Sequence, residues 1–150
     1  MQTFSDGKQI WSLRWTVGVC RRVDNLKYFD GQSDKRLNVG IVEEWLPMLF
    51  ANPVLLSDLV FAAATLQHPD RSKDSLDDVL FGPVLEDARE ALIEEIINFT
   101  QSRSGRADML RQLKKAVMDQ MEQAVAEVVA AMPTESPVSG AEKLELTEKT

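Results

Sequence analysis

His68 and Asp70, separated by Pro69, form the one place in this chain where an imidazole stands beside a carboxylate. A pair of that kind can serve as a general base or contribute to a metal site. Base catalysis needs a nucleophile within reach, and a metal needs further ligands. There is one histidine and one cysteine, Cys20, far away in sequence. His68 also closes a helical run just before a proline, where helices commonly stop. We therefore expect it to be a solvated helix end. The carboxylates Glu86, Asp87, Glu90, Glu94 and Glu95 could gather a cation. They lack the glycine-centred loop of an EF-hand, and Arg89 interrupts them, so a solvated helix face is expected. The seven glycines are scattered and build no phosphate loop. No catalytic residue, cofactor or metal is assigned.

The remaining charged cluster is "RSGRADMLRQLKK", residues 103 to 115, with five positive charges against Asp108. No aromatic residue is interleaved to stack a base. The chain as a whole carries a net charge of −7, which opposes a general affinity for nucleic acid or anionic membrane. The cluster is expected to answer an acidic surface, either the chain's own 86 to 95 region or a partner's. Four of the six methionines, Met109, Met118, Met121 and Met132, lie on the helix that this cluster opens. Methionine suits surfaces that accept varied apolar partners. The candidate partner-binding residues are thus Met109, Arg111, Lys114, Lys115, Met118 and Met121. Arg106 and the other basic residues would steer an acidic helical partner. The alternative is that Met121 and its neighbours are ordinary core.

The elements that would position these residues can be read along the chain. Asp6-Gly7 is a two-residue hairpin signal, which would pair Phe4 with Gln9. Phe4 then shares a face with Trp11, Leu13 and Trp15. The other face is polar apart from Ile10. Trp11, Trp15 and Trp45 are expected to anchor the hairpin in the core. Thr16 can cap a helix with Val19, Val23 and Leu26 at helical spacing. "YFDGQSDKR" reads as a loop. Leu37, Ile41, Trp45 and Leu49 mark a short or broken helix, since Gly40 and Pro47 interrupt it. Asn52 and Pro53 open an apolar helix carrying Leu55, Leu59, Ala63 and Leu66, central to the core. "SLDD", residues 75 to 78, resembles a capping box for a short helix ending near Gly82. From Pro83 a longer helix follows, with Leu85, Ala88, Leu92, Ile96 and Phe99 on one face. The stretch from Ala107 to Met132 is the longest helix, roughly 40 Å at 1.5 Å per residue. Its stripe is Leu110, Leu113, Val117, Met121, Val125, Val128 and Met132.

These elements predict a mainly α protein. An N-terminal β-hairpin packs on a bundle of about four to five helices in a single domain, residues 1 to 132. Residues 133 to 150 are polar, contain proline and read as a disordered tail. The single cysteine excludes an intrachain disulfide. No basic stretch leads into an apolar one at the start, and no apolar run reaches the roughly 20 residues of a membrane span. A soluble, cytosolic protein is expected.

His-Pro-Asp after a helical run resembles the signature tripeptide of J-domains, which stimulate a heat-shock chaperone ATPase. In that family the preceding helix is basic and the following one is uninterrupted. Here residues 53 to 67 contain no Lys or Arg, and Gly82-Pro83 cuts the next helical stretch. A second resemblance covers residues 4 to 100 and rests on order and spacing. "DGKQIWSLRWTVGVCRRVDNL" is similar to the opening of small tail assembly chaperones of long-tailed phages and gene-transfer-agent-like elements. "ANPVLLSDLVFAA" resembles their second block, an Asn-Pro or Asp-Pro turn opening a Leu-rich helix. "SLDDVLFGPVLEDAREALIEEIINF" resembles the third, a short capped helix and then a long one. The resemblance implies a protein without catalytic residues. Such a protein binds the tape-measure protein in the host cytoplasm, keeps it soluble during tail assembly, and is absent from the mature virion. It leaves room for self-association. An undefined helical adaptor is the plainer reading of the same elements.

Overall fold

A computed structural model describes residues 1–100 and 105–131. Its first two strands, β1 (Gln2–Ser5) and β2 (Ile10–Leu13), form the expected antiparallel hairpin, with Phe4 opposite Trp11 and Ser5 opposite Ile10. The loop is Gly7-Lys8 rather than Asp6-Gly7, so Phe4 does not face Gln9. The cause is the Asp6 side chain. Its Oδ1 accepts the backbone N–H groups of Lys8 and Gln9, both at 2.8 Å, and its Oδ2 accepts Trp11 Nε1 at 3.0 Å. Asp6 therefore sits at the corner before the loop. Gly7, at φ +93°, takes the first loop position, which needs a residue free to adopt positive φ. The slip is two residues, so the faces keep their parity. Phe4, Trp11, Leu13 and Trp15 are buried, and Ile10 is exposed.

Helix α1 (Val17–Val23) starts where the side chain of Thr16 accepts the Val19 N–H. It stops earlier than the apolar spacing suggests. Asn25 turns the chain at φ +66°, leaving Leu26 half-buried beyond the helix. A second hairpin follows where a loop was expected: β3 (Lys27–Phe29) pairs with β4 (Asp34–Arg36). Asp30 again holds the turn, accepting the N–H groups of Gln32 and Ser33.

The next helix is broken, as Pro47 requires, into α2 (Val42–Trp45) and α3 (Met48–Ala51). Trp45 and Leu49 are buried, whereas Ile41 precedes α2 and is exposed. Helix α4 (Pro53–Ala64) is capped by Asn52, whose Oδ1 accepts the Leu55 N–H at 3.0 Å. Leu55, Leu56, Leu59, Val60, Ala63 and Ala64 are buried, and this helix packs on β2, α1, α3 and the two following helices. It ends before Leu66, which is 64% exposed rather than part of the stripe.

Helix α5 (Lys73–Asp77) begins three residues before the expected position. Ser72 is the cap, accepting the Ser75 N–H, and Ser75 returns its hydroxyl to the Ser72 carbonyl at 2.8 Å. Helix α6 (Gly82–Phe99) buries Ala88, Leu92 and Ile96 as expected and packs on β1 and α4; Phe99 at its end is exposed. Helix α7 (Arg106–Ala131) is the longest. The chain forms two compact units whose boundary falls inside α7, between Lys114 and Lys115. Met132, Arg103 and the expected tail, 133 to 150, lie outside the described residues.

Candidate partner-binding surface

His68 is not a solvated helix end. Its Nε2 accepts the backbone N–H of Ser12 at 2.8 Å, so the ring is neutral with its proton on Nδ1. Gln67 Nε2 donates to the Ser12 carbonyl at 3.1 Å, and Arg71 Nη1 to the Ile10 carbonyl at 2.7 Å. The Arg14 N–H reaches the Ala63 carbonyl at 3.0 Å. These are the groups of β2 and its continuation that point away from β1. An uncovered strand edge is a row of open donors and acceptors. The segment from Ala63 to Arg71 occupies that row without being a strand. The ring of His68 also meets Trp11 edge-on, with centroids 5.8 Å apart, and the Arg71 guanidinium lies 4.7 Å over the Trp11 ring. Burial, and then the Arg71 charge, hold the His68 pKa below its usual 6.5. The His-Pro-Asp tripeptide thus begins four residues beyond the end of α4, and its histidine helps seal a sheet edge. Its imidazole is committed to Ser12, so the geometry gives the J-domain reading no support.

The acidic face of α6 divides into two parts. Glu86, Asp87 and Glu90 are exposed, as expected, but Glu95 is only 6% exposed. Its Oε1 accepts the Gln2 N–H and its Oε2 the Trp15 N–H, both at 3.1 Å. A buried carboxylate is tolerable when backbone donors replace its water. Here it fixes both ends of the hairpin to α6. Among the described residues, no three His, Cys, Asp or Glu side chains gather to hold a metal ion.

The basic cluster answers the chain's own acidic helix. Lys114 Nζ lies 2.6 Å from Glu90 Oε2 and 2.9 Å from Glu94 Oε2, and Arg111 Nη2 is 3.9 Å from Glu94. Burial works against the Lys114 ammonium, but its hydrogen bonds to Glu90 and Glu94 outweigh this and raise its pKa. Arg106 Nη2 donates to Glu43 Oε1 at 3.0 Å and to the Gly40 carbonyl at 3.1 Å. Lys115 pairs with Asp119, one turn on, at 3.5 Å. The expected role of these residues in steering an acidic partner has to contend with these existing pairs.

The methionines lie differently. Met109, at 41% exposure, projects from the first turns of α7, where Ala107 and Leu110 are the buried residues. From Lys115 onward no residue of the helix is buried. Met118 (44% exposed), Met121 (42%), Val125 (62%), Val128 (57%) and Val129 (58%) recur at helical spacing and form one open apolar face. A hollow lined by Met121, Glu122, Val125 and Ala126 lies on it. Of the candidates chosen from sequence, Met118 and Met121 belong to this face. Val125 and Val128 were legible as part of its stripe, but their exposure was not. Val129 was not singled out. No protein-family model, no curated protein and no solved structure matches the chain.

Proposed function

We propose that this is a binding protein without catalytic activity, a tail assembly chaperone that holds a helical segment of the tape-measure protein against the apolar face of α7. The observation that carries the reading is that face. Exposed apolar surface that is continuous over several turns is unusual unless it meets something. An amphipathic helix is the shape that lies along such a stripe. A long helical protein made before its tail exists needs its own apolar stripes covered, which is the task the resemblance implies. The same succession of elements supports the reading: a hairpin running straight into a capped helix, an Asn-Pro opening to an apolar helix, and a short capped helix before a long one. In this reading the protein acts in the host cytoplasm and leaves before the tail is complete.

The test is co-expression with helical fragments of the tape-measure protein encoded in the same genome. A fragment should stay soluble and co-purify with the intact chain, and Met121→Glu should release it while the circular dichroism spectrum is unchanged. Fragments equally soluble without the chain, or captured equally by Met121→Glu, would overturn the proposal.

A further inference from the structure

The second hairpin leaves the outer edge of β3 open inside a groove. Leu37 donates its N–H to the Leu26 carbonyl at one end of the pairing, and Asp30 donates to the Ser33 carbonyl at the other. Bonded and non-bonded residues alternate along an antiparallel pair. Leu26, Tyr28 and Asp30 therefore turn their backbone groups toward β4, and Lys27 and Phe29 turn theirs away. On that outer side the Phe29 carbonyl accepts Asn52 Nδ2 at 3.0 Å. The N–H of Phe29 and both backbone groups of Lys27 have no hydrogen-bond partner among the described residues. A hollow of about 540 Å³ lies beside them, between β3 and the start of α4. Its walls carry Phe29, Met48, Val54 and Leu55. Phe29, from β3, is 52% exposed, and Val54, from α4, is 69% exposed. The outer edge of β2 is closed by the segment from Ala63 to Arg71. Among the described residues only Asn52 reaches that of β3.

We propose that this groove takes up an extended segment of a partner protein, which adds to β3 as a third strand and places one large apolar side chain in the hollow. The open groups name the backbone. Two donors and one acceptor in strand geometry are matched by another chain in extended form, whereas a helix keeps its backbone groups for itself. The walls name the side chain, because a hollow between Phe29 and Val54 gains from burying leucine, isoleucine or phenylalanine. The occupant is not the hairpin of a second copy. The outer edge of a second β3 is itself flanked by Asn52 and α4, and β4 is Asp34-Lys35-Arg36, with no apolar residue to fill the hollow. With three backbone bonds available, the apolar anchor has to supply much of the affinity. This site does not rest on the use of α7 as a docking surface.

The probe is a blocked peptide of about seven residues, close to an ordinary strand length, made of threonine and serine around a central leucine. Nuclear magnetic resonance of the full chain, labelled with heavy nitrogen, follows the amide signals as the peptide is added up to millimolar concentration. The Lys27 and Phe29 amides should shift together with that of Val54. Replacing the central leucine by alanine should weaken binding about tenfold, for the loss of one large buried side chain. Two further peptides carry N-methyl groups on alternate residues, one on the odd set and one on the even set. Only one set of N–H groups faces β3, so one of these peptides should bind like the parent and the other should not bind. Val54→Asp, in the first turn of α4 where a carboxylate suits the helix dipole, should remove binding with the melting temperature within a few degrees of the parent. Unmoved Lys27 and Phe29 amides overturn the proposal. So do two methylated peptides that bind alike, or a Val54→Asp chain that binds as the parent does. Each of these results leaves the tape-measure reading untouched, because Met121→Glu decides that one.

Discussion

The imidazole of His68 completes the outer edge of β2 by accepting the N–H of Ser12 at 2.8 Å. Only the neutral ring can do so, because a protonated imidazole has no acceptor. The pKa of His68 is lowered in the folded chain, so the unfolded chain binds its proton first as pH falls. Stability from this group is whole above pH 6.5 and is lost as pH drops through the lower folded value. Arg71, beside the same edge, adds repulsion once the ring is charged. Urea titrations at pH 7.5 and pH 5.5 should therefore give a lower midpoint at pH 5.5. His68→Leu should cost about 1–2 kcal/mol at pH 7.5, from the stranded Ser12 N–H, and should flatten the pH dependence in this window. An unchanged slope in the variant would place the titration elsewhere. The same protein should not stimulate a heat-shock chaperone ATPase.

Glu95 is the second polar anchor of the hairpin. Replacing it by leucine leaves the buried N–H of Trp15 and the half-buried N–H of Gln2 without an acceptor. A loss of about 1–3 kcal/mol is expected, most of it from the buried Trp15 donor. Trp11 and Trp15 are the reporters, since both are buried when the hairpin is docked. Their fluorescence should shift to the red in Glu95→Leu under conditions where helix content, read by circular dichroism, is largely kept. Native-like fluorescence and stability would mean that the apolar face of the hairpin is enough.

The two faces of β2 and its continuation to Trp15 can be told apart by a pair of substitutions. Trp15 packs against Trp45 with ring centroids 6.1 Å apart, and Trp15→Ala should cost about 3–5 kcal/mol. Ser12→Ala keeps the backbone bonds to Gln67 and His68 and should stay within about 0.5 kcal/mol. Thermal melts of both variants decide it. Equal losses would contradict the facing of the strand.

What was legible in the sequence was local chemistry. Asn52-Pro53 opens α4 because an amide cap and a proline at the first turn act within four residues, and Thr16 opens α1 for the same reason. The faces of the first hairpin followed from alternation. Its register did not, because the Asp6 carboxylate chose which residues make the corner. The second hairpin left little pattern: β4 is Asp34-Lys35-Arg36, exposed throughout, with no alternation to read. The edge contact of His68 was hidden because its partner is a backbone group 56 positions away. In α7 the spacing identified an apolar face, but spacing carries no information about what covers it. The same limit applied to Lys114. Its charge pointed equally to a partner or to the chain's own Glu90 and Glu94, and only the packing of α6 beside it chose.

That difference separates two sets of candidate residues that looked alike in sequence. Lys114 bridges Glu90 and Glu94, and its side chain is 15% exposed. Lys114→Glu brings a third carboxylate to the pair and should cost about 1–2 kcal/mol of stability, allowing for partial solvent screening. Any loss of binding in that variant would be confounded with a weakened fold. Met118 and Met121 are open, so glutamate there meets water rather than core. Met118→Glu and Met121→Glu should melt within a few degrees of the parent, as surface changes do, while binding of a helical partner falls at least tenfold. Calorimetry of the fold and of the complex on the same samples gives both readings. A drop in melting temperature as large as that of Lys114→Glu would mean that the methionines are packed in solution, and that the open face of α7 is not free to receive a partner.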